Sequence, residues 1–167
     1  GKKLLMLAGG GTSDGRSGEL GYPGRISRSS DGINWIHTLQ LSVNQGKTYY
    51  RKSRMGEANW LGQCAYGNSR FVATGGDSLA LVSNDGGEKW ILTYSSTPNF
   101  GANRSMAFGN GLFVTASDRG SFYSSDGVSW SVGIDSDSNR AFDGSIGFRS
   151  ISFGMLSSGQ GRFVMSG

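Results

Sequence analysis

The sequence predicts an all-β chain built from recurring four-stranded antiparallel sheets, and three observations carry that expectation. Glycine supplies 29 of the 167 residues against only 2 prolines, well over twice its usual share of roughly 7%. Short apolar runs alternate with Asn-Gly and Asp-Gly turns, the strongest two-residue hairpin signals, because such turns need positive φ at their centre. The third observation is repetition: the same three elements return along the chain in the same order. No segment sustains a 3.6-residue apolar period, so almost no helix is expected.

The first shared element is a strand ending in small residues. It occurs as Leu4–Gly10, Phe71–Gly76, Leu112–Ser117 and Phe163–Gly167. Ahead of the last three lies an aromatic-glycine pair, in Ala65-Tyr66-Gly67-Asn68, Ala107-Phe108-Gly109-Asn110 and Ser152-Phe153-Gly154-Met155. After the first three comes a Ser-Asp-Gly turn closed by tryptophan: Ser29–Trp35, Ser83–Trp90 and Ser124–Trp130. In the cleanest unit, strands are expected over Ser105–Gly109, Leu112–Asp118, Ser121–Ser125 and Val128–Val132. The turns between them are Asn110-Gly111, Arg119-Gly120 and Asp126-Gly127. Four short strands in meander order make a sheet of the size of a propeller blade.

The repeats fall approximately at 1–62, 63–104, 105–148 and 149–167, the last incomplete. The expectation is therefore a single β-propeller region of about three to four blades, where closed propellers have four to eight. On that count the chain is expected to be part of a larger propeller, completed by the remainder of a longer chain or by other subunits. Long inserts at Gly11–Gly24, Leu41–Gly62, Thr97–Arg104 and Asp135–Gly147 carry no core pattern. Inserts of this kind cost little stability and are where binding usually resides.

Ser83-Asn84-Asp85-Gly86-Gly87-Glu88-Lys89-Trp90 fits Ser/Thr-x-Asp-x-Gly-x-x-aromatic. It resembles the Asp-box repeat of the bacterial-neuraminidase type, found in sialidases and many other β-propellers. The other two copies place Gly directly after Asp and are one residue shorter before Trp. They are similar to the degenerate boxes of bacterial and phage propeller proteins. The resemblance implies structural roles for Ser83, Asp85, Gly87 and Trp90, and for Asp31, Trp35, Asp126 and Trp130, at the periphery of a blade. Physical chemistry agrees with those roles. Asp and Ser side chains cap turn amides, glycine takes the left-handed conformation, and a tryptophan buries on the order of 200 Å².

Composition excludes several classes. Aromatic residues make up 11% of the chain, which supplies burial that disordered chains lack. The longest strongly apolar run, Leu4–Ala8, is far short of the roughly 20 residues that span a bilayer. It is also too short for the core of a signal peptide despite the preceding lysines. Cys64 is the single cysteine, so no intrachain disulfide and no cysteine-based zinc site can form. His37 is the single histidine, and no motif supports a Ser-His-Asp relay around it. Asp135-Ser136-Asp137-Ser138-Asn139 with Asp143 alternates oxygen donors, but Arg140 and Ile146 stand where a calcium loop needs Gly and Glu. No metal and no cofactor are expected.

The formal charge is +4, and the basic residues are scattered except around Lys47–Arg54. Nucleic acid is not the expected partner, because no helix-based reader or ribonucleoprotein signature is present. The candidate contact residues are Tyr49, Tyr50, Arg51, Lys52 and Arg54. Adjacent aromatics stack on sugar or partner rings, and the cations pair with carboxylates or phosphates. The expected function is a non-catalytic binding or structural module in an extracellular assembly, such as a phage tail, a virion or a bacterial surface, contacting glycan or protein. The alternative is a sialidase-like glycoside hydrolase, which the resemblance implies would use an arginine triad and a Tyr/Glu nucleophile pair. Arg25-Ile26-Ser27 echoes that family's Arg-Ile-Pro motif without its proline, and Tyr49 or Tyr50 with Glu57 is the available pair. Only three glutamates exist, one of them the Glu88 of the tryptophan turn.

Overall fold

The structure is a computed structural model that describes residues 5–9, 25–40, 61–75, 79–94, 101, 103–135, 140–141 and 147–167. Among the described residues there are fifteen β-strands and no helix. The first sheet holds β1 (Leu5–Gly9), β2 (Arg25–Ser29) and β3 (Ile36–Gln40), paired antiparallel in chain order. The second holds β4 (Leu61–Gly67), β5 (Arg70–Gly75), β6 (Leu79–Ser83) and β7 (Ile91–Tyr94). The third holds β8 (Asn103–Gly109), β9 (Leu112–Ser117), β10 (Gly120–Ser124) and β11 (Ser131–Val132). A small ribbon follows, β12 (Ile134–Asp135) with β13 (Arg140–Ala141), and then a hairpin of β14 (Ser150–Met155) and β15 (Gly161–Ser166).

Both four-stranded sheets are antiparallel meanders, and each starts with the same irregularity. The register shifts between Leu61 and Gln63 in β4, and between Asn103 and Ser105 in β8. The bulge explains why β8 begins two residues ahead of the expected Ser105. Asn110-Gly111 is the predicted tight turn, with φ of 48° and 76° at its centre and Gly109 opposite Leu112. Two expected boundaries move. Gly120 already pairs with Ser117, so the turn is Asp118-Arg119 rather than Arg119-Gly120. Val128–Trp130 do not begin the fourth strand, which starts at Ser131, because their amides and indole are engaged by the preceding turn. A third difference lies at the last insert, which carries no core pattern in the sequence: Ile134–Asp135 and Arg140–Ala141 pair there as a short ribbon.

Consecutive sheets pack against one another through their first strands, with β1 against β4, β4 against β8, and β8 against β14. Two apolar clusters fill the spaces between sheets. Ile26 of the first sheet meets Leu61, Ala73, Leu79 and Leu81 of the second, with Met6 and Trp90 packed on them. On the other face of the second sheet, Val72 and Val82 meet Phe113, Phe122 and Trp130 of the third. Strict alternation makes this possible: β5 sends Val72 to one side and Ala73 to the other, so a central sheet is buried on both faces. β5 and β6 accordingly read as nearly continuous buried runs.

Aromatic pairs bind the first strand of each repeat to its second. Tyr66–Phe71, Phe108–Phe113 and Phe153–Phe163 have ring centroids 4.7, 4.8 and 4.8 Å apart and tilted planes. Such cross-strand contacts each contribute several tenths of a kcal/mol or more. The glycine after each of the first two aromatics receives a ring from the next repeat: a Cβ on Gly67 would strike Phe108, and one on Gly109 would strike Phe153. The sequence places glycine there because the neighbouring sheet needs the space.

Candidate ligand-binding end

The meander sorts the connections between two ends of the stacked sheets. One end carries the tight turns after β4 and β8, the β14–β15 turn, and all three tryptophan turns. Segments 10–24, 41–60 and 95–102, and the residues leading from β11 to β14, join strands at the other end. Hydrogen bonds hold neighbouring sheets in that common orientation. At the turn end, Asn68 Nδ2 donates to the Gly111 and Ser125 carbonyls at 3.0 and 2.9 Å. At the loop end, Gln63 Nε2 donates to the Asn103 carbonyl at 2.8 Å, and Asn103 Nδ2 to the Gly75 carbonyl at 3.2 Å.

The three tryptophan turns share one hydrogen-bond scheme. Each serine hydroxyl donates to the aspartate: Ser29 to Asp31 at 2.8 Å, Ser83 to Asp85 at 2.8 Å, and Ser124 to Asp126 at 2.9 Å. The same serine oxygens accept the amides of Gly32, Gly87 and Gly127, each at 2.8 Å. Each aspartate Oδ1 accepts two further amides, Ile33 and Asn34, Glu88 and Lys89, or Val128 and Ser129, at 2.8 to 3.0 Å. The indole N–H then closes onto the glycine carbonyl, Trp35 to Gly32 at 3.2 Å, Trp90 to Gly87 at 3.2 Å, and Trp130 to Gly127 at 3.1 Å. The extra residue of the middle copy is absorbed by two consecutive left-handed glycines, Gly86 and Gly87, at φ 75° and 81°.

These bonds favour the ionised carboxylate, which is acceptor-only. The Asn34 amide and side chain, then Ile33 and Ser29, hold Asp31 well below the usual carboxylate range. The Lys89 amide, followed by the Ser83 hydroxyl, lowers Asp85. Burial pulls Asp126 upward, but the Ser129 and Val128 amides, the Ser124 hydroxyl and the Arg70 charge together bring it down. Carboxylates so occupied serve the turn, and no group of three or more potential metal-ligating side chains exists among the described residues.

The turns also reach across to the preceding sheet. Arg70 Nη1 donates to the Asp126 carbonyl at 3.0 Å, and a Cβ on Gly127 would enter Val72. Arg28 Nη1 pairs with Glu88 Oε1 at 2.9 Å, and Gly87 lies on Met6. Trp130 is 6% exposed, while Trp35 and Trp90 are half-buried.

At the loop end the exposed charges are different. Arg25 opens β2, Arg104 is the second residue of β8, Arg119 lies in the β9–β10 turn, and Arg149 precedes β14. All four are exposed. Arg25 belongs to the Arg-Ile-Ser segment noted above, whereas Arg104, Arg119 and Arg149 belong to no motif of the sequence. The signal that could have found them is position, since each stands at a strand start or turn on the side where the long inserts attach. Tyr49, Tyr50, Arg51, Lys52, Arg54 and Glu57 lie outside the described residues, in the segment joining β3 to β4. The oxygen-rich loop is described only at its ribbon, where Asp135 stands opposite Arg140.

Of the residues expected for glycosidase chemistry, the two that are described lie at opposite ends of the sheets. Glu88 is ion-paired at the turn end, whereas Arg25 begins β2 at the loop end. His37 Nδ1 lies 2.8 Å from the Ser27 hydroxyl across β2 and β3, on an exposed surface. Cys64 is half-buried in β4 and its thiol donates to the Met6 carbonyl at 3.4 Å. Comparison with known proteins adds no family: no family model, no curated protein and no solved structure matches the chain. No helix among the described residues is long and apolar enough to cross a membrane.

Proposed function

We propose that this chain is a non-catalytic binding module whose stacked sheets are blades of a β-propeller, and that its loop-bearing end contacts an acidic glycan in an extracellular assembly such as a virion or bacterial surface. The observation that carries this reading is the separation of the two ends. The turn-end aspartates are occupied by backbone amides, while four exposed arginines stand at the end where the long inserts attach. Arginine forks pair bidentately with sugar carboxylates or sulfates. Tyr49 and Tyr50, in the sequence joining β3 to β4, are of the residue type that stacks on sugar rings. The side-by-side packing of first strands, repeated from sheet to sheet, is what supports the blade reading.

The test is a glycan array containing sialylated, uronic and sulfated sugars, followed by titration of a hit against rising salt. Binding to acidic glycans that weakens with salt, and that is lost when Arg25, Arg104, Arg119 and Arg149 are all replaced by Ser, is the expected result. Binding that survives both this variant and Tyr49→Ala/Tyr50→Ala would overturn the assignment of the site.

A further inference from the structure

We infer that an ordered water is built into the loop-end half of the contact between the second and third sheets, held by Gln63, Thr74, Asn103 and Thr115. The site is interior and does not depend on the ligand assigned above. Five buried side-chain oxygens among the described residues have no hydrogen-bond partner: Thr38 Oγ1, Gln63 Oε1, Thr74 Oγ1, Asn103 Oδ1 and Thr115 Oγ1. Thr38 lies in β3, and the other four converge on one place. Gln63 reaches from β4 to the Asn103 carbonyl, and Asn103 reaches back from β8 to the Gly75 carbonyl. Thr74 follows Val72 by two residues in β5, so it faces the third sheet as Val72 does. Thr115 pairs with Met106 and follows Phe113 by two, so it faces the second sheet. Thr74, Asn103 and Thr115 are each 0% exposed.

The equivalent places in the preceding contact are apolar. Asn103 stands at the β8 bulge where Leu61 stands at the β4 bulge, and Thr115 pairs with Met106 as Ala73 pairs with Cys64. Leu61 and Ala73 belong to the apolar cluster joining the first and second sheets. The same architecture is therefore closed by hydrocarbon in one contact and by an amide and a hydroxyl in the next. The orientation of both amides is fixed. Each NH2 group faces a carbonyl, which only accepts, so rotating either amide would set oxygen against oxygen. Gln63 Oε1 and Asn103 Oδ1 thus turn away from these bonds and need a donor.

Buried polar oxygens are costly unless they are hydrogen-bonded. A guest here must donate to two amide oxygens and accept from two hydroxyls. Water does both, and four bonds lie within the 2–4 that a buried water typically makes. A cation suits the place badly: all four groups are neutral, Arg104 follows Asn103 directly, and an uncompensated buried charge costs far more than a dipole. The water ties β4 to β8 at the loop end and so helps to fix the strand start from which exposed Arg104 projects.

A crystal structure of the 167-residue chain, with the thermal midpoints of Thr74→Val and Thr115→Val, tests this. The expected density is a water about 2.7–3.2 Å from Asn103 Oδ1 and from at least one of the other three oxygens. Valine keeps the shape of threonine and removes only the hydroxyl, so the sign of the shift is informative. A hydroxyl bonded to water is missed, and the midpoint of at least one variant falls by about 2–4 °C. A hydroxyl buried without a partner is better replaced, and the midpoint holds or rises. A fall in neither variant would overturn the inference, as would density for a protein side chain, an ion or nothing at Asn103 Oδ1.

Discussion

The ring of Phe153 occupies the position that a Cβ on Gly109 would take. One repeat thus leaves out a side chain so that the next can insert one, and Phe108 stands in the same relation to Gly67. Neither glycine has a positive φ, so the requirement is for space and not for backbone freedom. Gly109→Ala is expected to destabilise the fold by about 1–3 kcal/mol through overpacking. Gly154→Ala, which meets nothing, should change stability by less than about 0.5 kcal/mol. Chemical denaturation of the two variants measures the contrast, and equal effects would remove the steric explanation.

Tryptophan turns are expected to differ in value according to what lies beside them. Trp130 is buried between the second and third sheets against Val72, Val82, Phe113 and Phe122. Trp130→Ala should cost about 3–5 kcal/mol. Trp35 forms the same indole–carbonyl bond but is only half-buried, and Trp35→Ala should cost clearly less in a dilute, monomeric sample. Urea midpoints with unchanged slopes would check this order.

Acid should loosen the molecule through its turns. Asp31, Asp85 and Asp126 all titrate lower in the folded chain than when unfolded. A group whose folded pKa is depressed stabilises the native state above its unfolded value of about 3.9, and that contribution fades as pH falls toward the folded pKa. The thermal midpoint should therefore be insensitive to these groups from pH 7 to about 5 and decline below about pH 4. In a chain carrying Asp→Asn at all three positions the decline should be shallower. A wild-type midpoint that rises on acidification would contradict the assignment.

The Arg28–Glu88 pair should contribute little despite its 2.9 Å separation. Glu88 is exposed and Arg28 only half-buried, and ion pairs at such a surface contribute about 0–1 kcal/mol. Glu88→Gln is expected to shift stability by less than about 0.5 kcal/mol at moderate salt, measured by thermal denaturation. A larger loss would show that the sheets are held at this edge by charge as well as by Met6 beneath Gly87.

Much of the fold is legible in the residues because its determinants are local. Asn110-Gly111 marks a turn by its need for positive φ, and the recurring Ser-Asp-Gly-Trp spacing marks the turn before the last strand of each of the first three sheets. The elements misplaced by a residue or two have a non-local or competing cause. The start of β8 is moved by a bulge at Asn103, whose side chain reaches the Gly75 carbonyl of the neighbouring sheet. Val128 and Ser129 satisfy a strand pattern, yet the Asp126 carboxylate takes their amides. Sheet-to-sheet contacts were readable only in part: tryptophan announces that something must cover it, while the space above Gly67 and Gly109 is invisible without the neighbour. The arginines of the loop end are scattered along the chain and gather at one end only once the meander fixes strand direction. Tyr49 to Arg54 stand out in the sequence by composition, and the strands that flank them, β3 and β4, end and begin at that same end.

The account depends on the tryptophan turn of one sheet docking on the strands of the sheet before it. A double-mutant cycle between Val72→Ala and Trp130→Phe, read by urea denaturation, measures that contact directly. Coupling of about 0.5 kcal/mol or more is expected for side chains that share one buried cluster. Effects that add within about 0.3 kcal/mol would mean the indole and the valine do not meet, and the stacked-sheet architecture would not stand.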